Sequence, residues 1–481
     1  MKIIIRLSGD LVIKSVAIRR RFQNKLKSNI KIALDRAGVR FHMSDAWNRF
    51  YLESPQGEEA ITALKNVFGI QSISPVDLEC GDSLEEILKA GDDFYKEKVW
   101  GKTFEVRAHR CGHKILSSKE VNYQLGSLLN QPANNSKVKL DDPDVSIHID
   151  MRETSCYFYS RIILGARGLP LGTQGRTVCL LSGGFDSPVA AWMMQKRGVD
   201  VDFLFCNLAA EAQERAIIKL AHKLQQQWGH GSSSYLHIVD FKPIVAALKE
   251  KVSTRYLQVI LKRMFYRIAE LQAKATQACA IVTGEALGQV SSQTLINLSS
   301  IEEAISTPVL RPLIGFDKND IISISRAIGT YEESAHQQEY CQLVPQKPST
   351  ACSIAKAREE EDKLDLSILA TALANRKTIY LSDQSCDASL LASYIFVDQL
   401  PEKAEVIDCQ SEEQFLEWHH PTAQHHEFFD LQNDFKKLAK EKVYLLYCQH
   451  GTQSALLAEM MQNQGYEAYS FIGGVKALRL L

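Results

Sequence analysis

Long hydrophobic runs are missing from this chain of 481 residues. No apolar stretch approaches the ~18 residues that a membrane-spanning helix needs. The opening MKIIIRLSGDLVIKS has only three consecutive isoleucines, too few for the core of a signal peptide. A reducing cytoplasm is therefore the expected location, and no membrane partner is expected. Among the eleven cysteines there is no CxxC pair. Neither a zinc ribbon nor a disulfide framework fits that odd, scattered set, and no metal site is expected. Some of the thiols are expected to be chemical rather than structural. Low-complexity segments and internal repeats are also lacking. What is present is ordinary globular composition, 45% hydrophobic and 23% charged, and a length that suggests about three or four domains.

Net charge is almost absent, at −1, yet its distribution is uneven. Residues 1–176 hold 27 Lys and Arg against 21 Asp and Glu, residues 177–384 hold 22 of each, and residues 385–481 hold 7 against 14. The basic head includes the run Arg19, Arg20 and Arg21, and a second group at Arg107, Arg110 and Lys114. Positive charge gathered at one end of a neutral protein is the footprint of a phosphate-backbone binder. A solvated helix face would carry the same run at Arg19–Lys31.

Residues 2–6 and 48–52 read as strands around a basic helical stretch at 15–37. Apolar spacing predicts helices at 57–68, 83–98 and 118–130, with strands at 102–110, 146–152 and 154–164. That alternation implies an α+β unit with a mixed sheet. Four glycines and a proline in 165–175 read as a linker. From 177 the texture becomes βαβ: short apolar, β-branched strands at 177–181, 201–208, 236–241 and 278–284, separated by helices, argue for a parallel sheet covered on both faces. Residues 353–374 read as a charged helix whose Glu359–Asp362 run is a solvated face. Residues 385–481, with KAEVIDC and KVYLLYC, suggest a last small α/β domain.

The most informative segment is Ser182-Gly183-Gly184-Phe185-Asp186-Ser187-Pro188, directly after the strand at 177–181. Adjacent glycines let the backbone turn its N–H groups inward, Ser182 and Ser187 add hydroxyls, and Pro188 suits the start of a helix. Such a loop places an anion at a helix N-terminus. It lacks the GK[ST] of the ordinary nucleotide P-loop. Leu261-Lys262-Arg263-Met264 and the long run TGEALGQVSSQT at 283–294 follow.

SGGFDS after a strand resembles the PP-loop ATP pyrophosphatases, which form AMP and pyrophosphate. Together with the two later segments it closely resembles the tRNA 4-thiouridine synthetases, a resemblance that covers nearly the whole chain. It implies a multidomain α/β and α+β protein: a ferredoxin-like domain at 1–60, a THUMP RNA-binding domain at 61–165, and a doubly wound PP-loop domain at 176–375. A rhodanese-like sulfur-carrier domain at 385–481 completes it. ATP with Mg2+ would bind at Leu180, Leu181, Ser182, Gly183, Gly184, Ser187, Lys262, Gly284 and Gln293, with Asp186 catalytic. Each has a rationale. Backbone at 180–181 lies where open α/β sheets bind ligands, Lys262 brings positive charge, Gly284 permits close approach, and the Gln293 amide offers donor and acceptor. tRNA would meet Arg19, Arg20, Arg21, Arg107, Arg110 and Lys114.

Cys448 ends the strand KVYLLY and opens Gln449-His450-Gly451-Thr452-Gln453-Ser454 before a helix. Backbone N–H groups at such a turn favour a thiolate, and the resemblance makes Cys448 the persulfide carrier. The loop departs from the rhodanese pattern: Gln453 and Gln410 stand where arginines are usual, leaving His450 as the loop's one source of positive charge. Cys341, in a polar stretch, matches the family's resolving cysteine, which forms a transient disulfide with the carrier. Cys352 has no matching role, and Cys179, Cys206 and Cys279 are expected to be inert in apolar strands. The implied reaction is adenylation of the uracil O4, at position eight of tRNA in the family, followed by sulfur transfer from Cys448. Implied partners are tRNA, a cysteine desulfurase as sulfur donor, a thiol reductant and a sulfur carrier protein for thiamine thiazole synthesis. A homodimer is left open. Two other classes remain: an AMP-forming amide ligase, which needs neither the basic head nor Cys448, and a non-catalytic RNA-binding protein.

Overall fold

The computed structural model describes residues 1–46, 49–110, 116–152, 154–208, 211–335, 348–381, 395–401, 403–462 and 464–479. They divide into two compact units, Met1–Pro170 and Leu171–Leu481.

The first unit holds two five-stranded sheets. In the first, strand Lys2–Leu7 turns Ile3 and Ile5 into one core while Ile4 is buried on the opposite face. It pairs antiparallel with Arg49–Glu53 on one side and Ile70–Pro75 on the other. Strands His42–Ala46 and Ile163–Leu164 form the edges. Helix Val16–Arg36 repeats Phe22, Leu26, Ile30 and Ala33 toward this core and leaves Arg20 and Arg21 outside. The second sheet runs Leu78–Cys80, Cys156–Tyr159, Val145–Met151, Thr103–Arg110, Lys137–Val138. Helices Leu84–Tyr95 and Ser118–Leu129 supply Ile87, Val121 and Leu125 to its core. Ser83 and Glu86 form a capping box at the start of the first of these helices.

Three expectations are corrected here. The stretch 154–164 is two strands in two different sheets, because the chain leaves the second sheet after Tyr159 and reaches the first at Ile163. A division at residue 60 does not match the first core, which takes in Ile61, Leu64, Ile70 and Ile73. The glycine-rich stretch 165–175 buries Leu169 and Leu171, so it is held down at those points.

The second unit holds a six-stranded sheet in the order Val309–Leu310, Ala280–Val282, Arg176–Leu180, Asp200–Asn207, Tyr235–Asp240, Lys377–Tyr380. All pairs are parallel except the last. The antiparallel edge strand Lys377–Tyr380 carries this domain past the expected end at residue 375. The chain moves outward one way from Arg176–Leu180 and then returns to its other side, which makes the carboxyl end of that strand the topological switch point. A second sheet, five strands all parallel, runs Phe396–Val397, Glu467–Phe471, Val443–Tyr447, Glu405–Asp408, Gln424–His425. Its central strand ends at Tyr447, one residue before Cys448.

The charged stretch 353–374 is two helices, Ile354–Glu361 and Ser367–Ala374, and its acidic run is a solvated face only at Glu359 and Asp362. Glu360 and Glu361 are buried. Glu361 receives Arg263 at 2.5 Å and Arg267 at 2.6 Å. Two arginines from helix Leu257–Thr276 thus draw the carboxylate inward.

Candidate active site

The loop after Arg176–Leu180 is folded by its own hydroxyls. Ser187 Oγ accepts from Ser182 N at 2.8 Å and lies 3.1 Å from Ser182 Oγ. Helix Asp186–Lys196 starts inside the motif. Gly284 is required by this loop: a Cβ there would stand 2.6 Å from the backbone of Asp186 and Ser187. The close approach that Gly284 permits is to the backbone of this loop.

A cavity of about 620 Å³ opens beside the loop. Leu180, Leu181, Ser182, Gly183, Asp186, Ser187, Lys262, Gly284 and Gln293 all line it, whereas Gly184 is not among the lining residues. Phe205, Leu261 and Phe265 give it an apolar wall. Gln293 Oε1 is buried with no hydrogen-bond partner among the described residues.

Two charged residues prove to be tied down. Asp186 accepts from Lys318 Nζ at 2.8 and 3.0 Å and from Gln289 Nε2 at 2.9 Å. Lys262 Nζ donates to Glu285 Oε1 at 2.9 Å, so it is not the exposed helix lysine that its sequence alone would suggest. Glu285 also receives Tyr266 OH at 2.5 Å, Arg311 Nε at 3.0 Å and Thr283 Oγ1 at 3.2 Å. Burial pushes this carboxyl up, but Lys262, Tyr266 and Arg311 outweigh burial and bring it down to about 2. Lys318, Arg311 and the role of Glu285 were missed from sequence. Glu285 lies inside the quoted TGEALGQ run, while Lys318 is 132 positions from its partner Asp186 and carries no local signal. Among the described residues no group of three or more His, Cys, Asp or Glu could hold a metal ion.

The second centre is the turn at Cys448. Its thiol is buried, and Ser454 Oγ donates toward Sγ at 3.5 Å while lying 2.8 Å from Ser470 Oγ. Gly451 has φ +81° and opens helix Thr452–Gln462. Gly474 forms the turn's back wall: Val475 N donates to Cys448 O at 3.1 Å, and a Cβ on Gly474 would lie 2.4 Å from that oxygen. Desolvation by burial lowers the His450 imidazole below its usual value, against the pull of Glu332 and Glu333. Gln410, where an arginine was expected, donates to Asp408 Oδ2 at 3.0 Å and to Trp418 O at 3.2 Å. It holds the buried aspartate without adding charge.

Helix Thr452–Gln462 packs on helix Glu211–Trp228 of the cavity-bearing lobe, with buried Arg215 and Glu459 3.9 Å apart. Helix Tyr331–Ala335 puts Glu332 and Glu333 within electrostatic reach of His450. Cys341 and Lys114 lie outside the described residues. Cys352 is fully buried in the core behind the cavity. Cys279 is exposed just before its strand, a correction to its expected burial. Arg19, Arg20 and Arg21 ride on helix Val16–Arg36 of the first sheet. Arg107 and Arg110 are exposed, in the middle and at the end of a strand of the second, Arg107 being engaged by Glu105 at 2.6 Å.

The chain is 34% identical over 478 residues to a protein named tRNA sulfurtransferase from Desulfurococcus amylolyticus, covering 99% of this chain and 98% of that one. It belongs to the tRNA sulfurtransferase family. The family member from Colwellia psychrerythraea is also 34% identical, over 97% of this chain and 99% of its own. The model of the family described as Thiamine biosynthesis protein (ThiI) matches residues 172–366. The ThiI ferredoxin-like domain matches 2–74, the THUMP domain 81–161 and the rhodanese-like domain 396–480. A solved 4-thiouridine synthetase, in complex with RNA and with bound ATP, is 30% identical with a TM-score of 0.70, covering 79% of this chain and 100% of that one. The family and the fold class expected from sequence are thus borne out.

Proposed function

We propose that this protein uses ATP to adenylate O4 of a uridine in tRNA and replaces it with sulfur carried on Cys448. The observation that carries the reading is one compact unit holding both a cavity at the sheet's switch point, built on SGGFDS, and a strand-end thiol in a glycine turn. The cavity suits ATP: the apolar wall fits the base, the unpartnered Gln293 Oε1 can accept from an amino group on it, and the turn of 182–187 faces the phosphates. Mg2+ would come with the phosphates. Lys262 brings positive charge to the same cavity, and Lys318 does so beside Asp186.

The uracil O4 attacks the α-phosphate and pyrophosphate leaves. The outer sulfur of a Cys448 persulfide then attacks C4 and AMP leaves, joining tRNA to Cys448 through a disulfide bond. A thiolate from Cys341 attacks Cys448 Sγ, freeing thiolated tRNA and closing a Cys341–Cys448 disulfide, which a thiol reductant reopens. In the persulfide the transferred sulfur sits about 2 Å beyond Sγ. A cysteine desulfurase would load Cys448, and a sulfur carrier protein for thiazole synthesis is a second acceptor of the same sulfur.

The test is release of AMP and pyrophosphate on adding tRNA, with and without a persulfide donor, alongside mass analysis of the digested tRNA. Activation that ignores tRNA would overturn the reading in favour of a small-substrate ligase.

A further inference from the structure

We infer that Cys409 is a second sulfur-handling thiol, which attacks Sγ of a persulfide on Cys448 and discharges it as hydrogen sulfide when no acceptor is present. The inference rests on the reading of Cys448 as the carrier.

Sheet register brings the two cysteines together. Asp408 pairs with Tyr447 across parallel strands, and Cys409 N donates to Tyr447 O at 2.8 Å. One step further along the ladder, Cys409 stands beside Cys448. Strand alternation puts them on the same face: Ile407, Cys409, Leu446 and Cys448 share one core, while Val406, Leu445 and Tyr447 enter the other. Neighbouring strands lie about 4.8 Å apart, inside the range of about 4.4–6.8 Å that disulfides span between Cα atoms. Both residues are buried, at 1% and 3% exposure.

The step balances without an outside oxidant. Cys409 sulfur forms a bond to Cys448 Sγ, the bond between Sγ and the outer sulfur breaks, and that sulfur leaves with the electron pair and the Cys409 proton. The products are hydrogen sulfide and a Cys409–Cys448 disulfide; the oxidising equivalent is the sulfane sulfur itself. An external thiol then reopens the disulfide. Burial pushes the Cys409 thiol well above its ordinary value, and charge on Cys448 pushes it the same way. It is therefore protonated at neutral pH and a slow nucleophile, so an adenylated acceptor outruns it.

The test uses the full chain carrying Cys341→Ser, loaded with inorganic polysulfide, desalted and left without ATP or tRNA. Sulfide release is followed, and peptides are mapped without reduction. The expected result is a Cys409–Cys448 link appearing with the sulfide, which needs no variant at Cys409. Adding Cys409→Ser, or Cys409→Ala, should lengthen the persulfide lifetime at least about tenfold and abolish the link. A persulfide on Cys448 that is equally long-lived with and without Cys409 would overturn the inference and leave the carrier reading intact. Sulfur recovered as a persulfide on Cys409 would also overturn it. A Cys448 that takes up no sulfur at all would overturn the carrier reading and the discharge with it.

Discussion

Glu285 is a carboxylate taken out of water and held by four donors, one of them the lysine of the nucleotide cavity. Because its folded value is lowered to about 2, its contribution is fully present above the ordinary carboxylate value of about 4.3. That contribution is lost as pH falls toward 2, and is on the order of 3 kcal/mol. In Glu285→Gln, the difference in urea midpoint from the parent chain should shrink steadily below about pH 4.5. A difference independent of pH would show that the charge itself contributes little. Asp186→Ala should remove tRNA-dependent AMP formation while changing tRNA affinity by no more than about threefold, since phosphate-backbone contacts dominate affinity and the basic residues lie in the other unit. Loss of tRNA binding in the folded variant would contradict that division. Cys448→Ser should abolish thiolation yet still yield AMP and pyrophosphate, because the thiol lies outside the cavity lining. Full thiolation by that variant would end the carrier hypothesis.

At the scale of elements, the helix Ile354–Glu361 shows why charge runs mislead. Glu359 and Glu361 are two positions apart, so on a helix they point to different sides. Among the described residues Glu359 pairs with the partly exposed Lys356, while Glu361 binds Arg263, whose side chain is 1% exposed. Glu361→Ala should cost about 1–3 kcal/mol, since Arg263 keeps Glu303 but is left with a buried donor unmatched, and Glu359→Ala less than about 0.5 kcal/mol. Equal urea midpoints for the two variants would refute the contrast. The sequence could not distinguish them, since what separates them is an arginine 98 positions away. The phosphate loop and the run at 283–294 were legible because backbone freedom and hydroxyls act within a few residues. The split of 154–164 between two sheets was not, because alternation reports a strand but not which sheet it joins. Pairings such as Lys318 with Asp186 were hidden for the same reason: only the folded sheet brings them together.

Over the whole molecule, the near-zero net charge conceals a basic head and an acidic tail. tRNA affinity should fall steeply with salt, with a slope of about 0.7–0.9 per phosphate contact, and a chain lacking residues 1–170 should lose it. Undiminished, salt-dependent binding by residues 171–481 would place the RNA contacts elsewhere. The described part of the molecule has no helix long and apolar enough to cross a membrane.

The placement of Gly474 against the Cys448 carbonyl has a consequence for how the protein is made. The sulfur turn is completed by one of the last helices, and strand Glu467–Phe471 lies between Phe396–Val397 and Val443–Tyr447. During synthesis the ATP lobe can therefore finish folding while Cys448 is still unsheltered on the ribosome. A chain halted just after Phe471 would lack the wall that Gly474 sets behind Cys448.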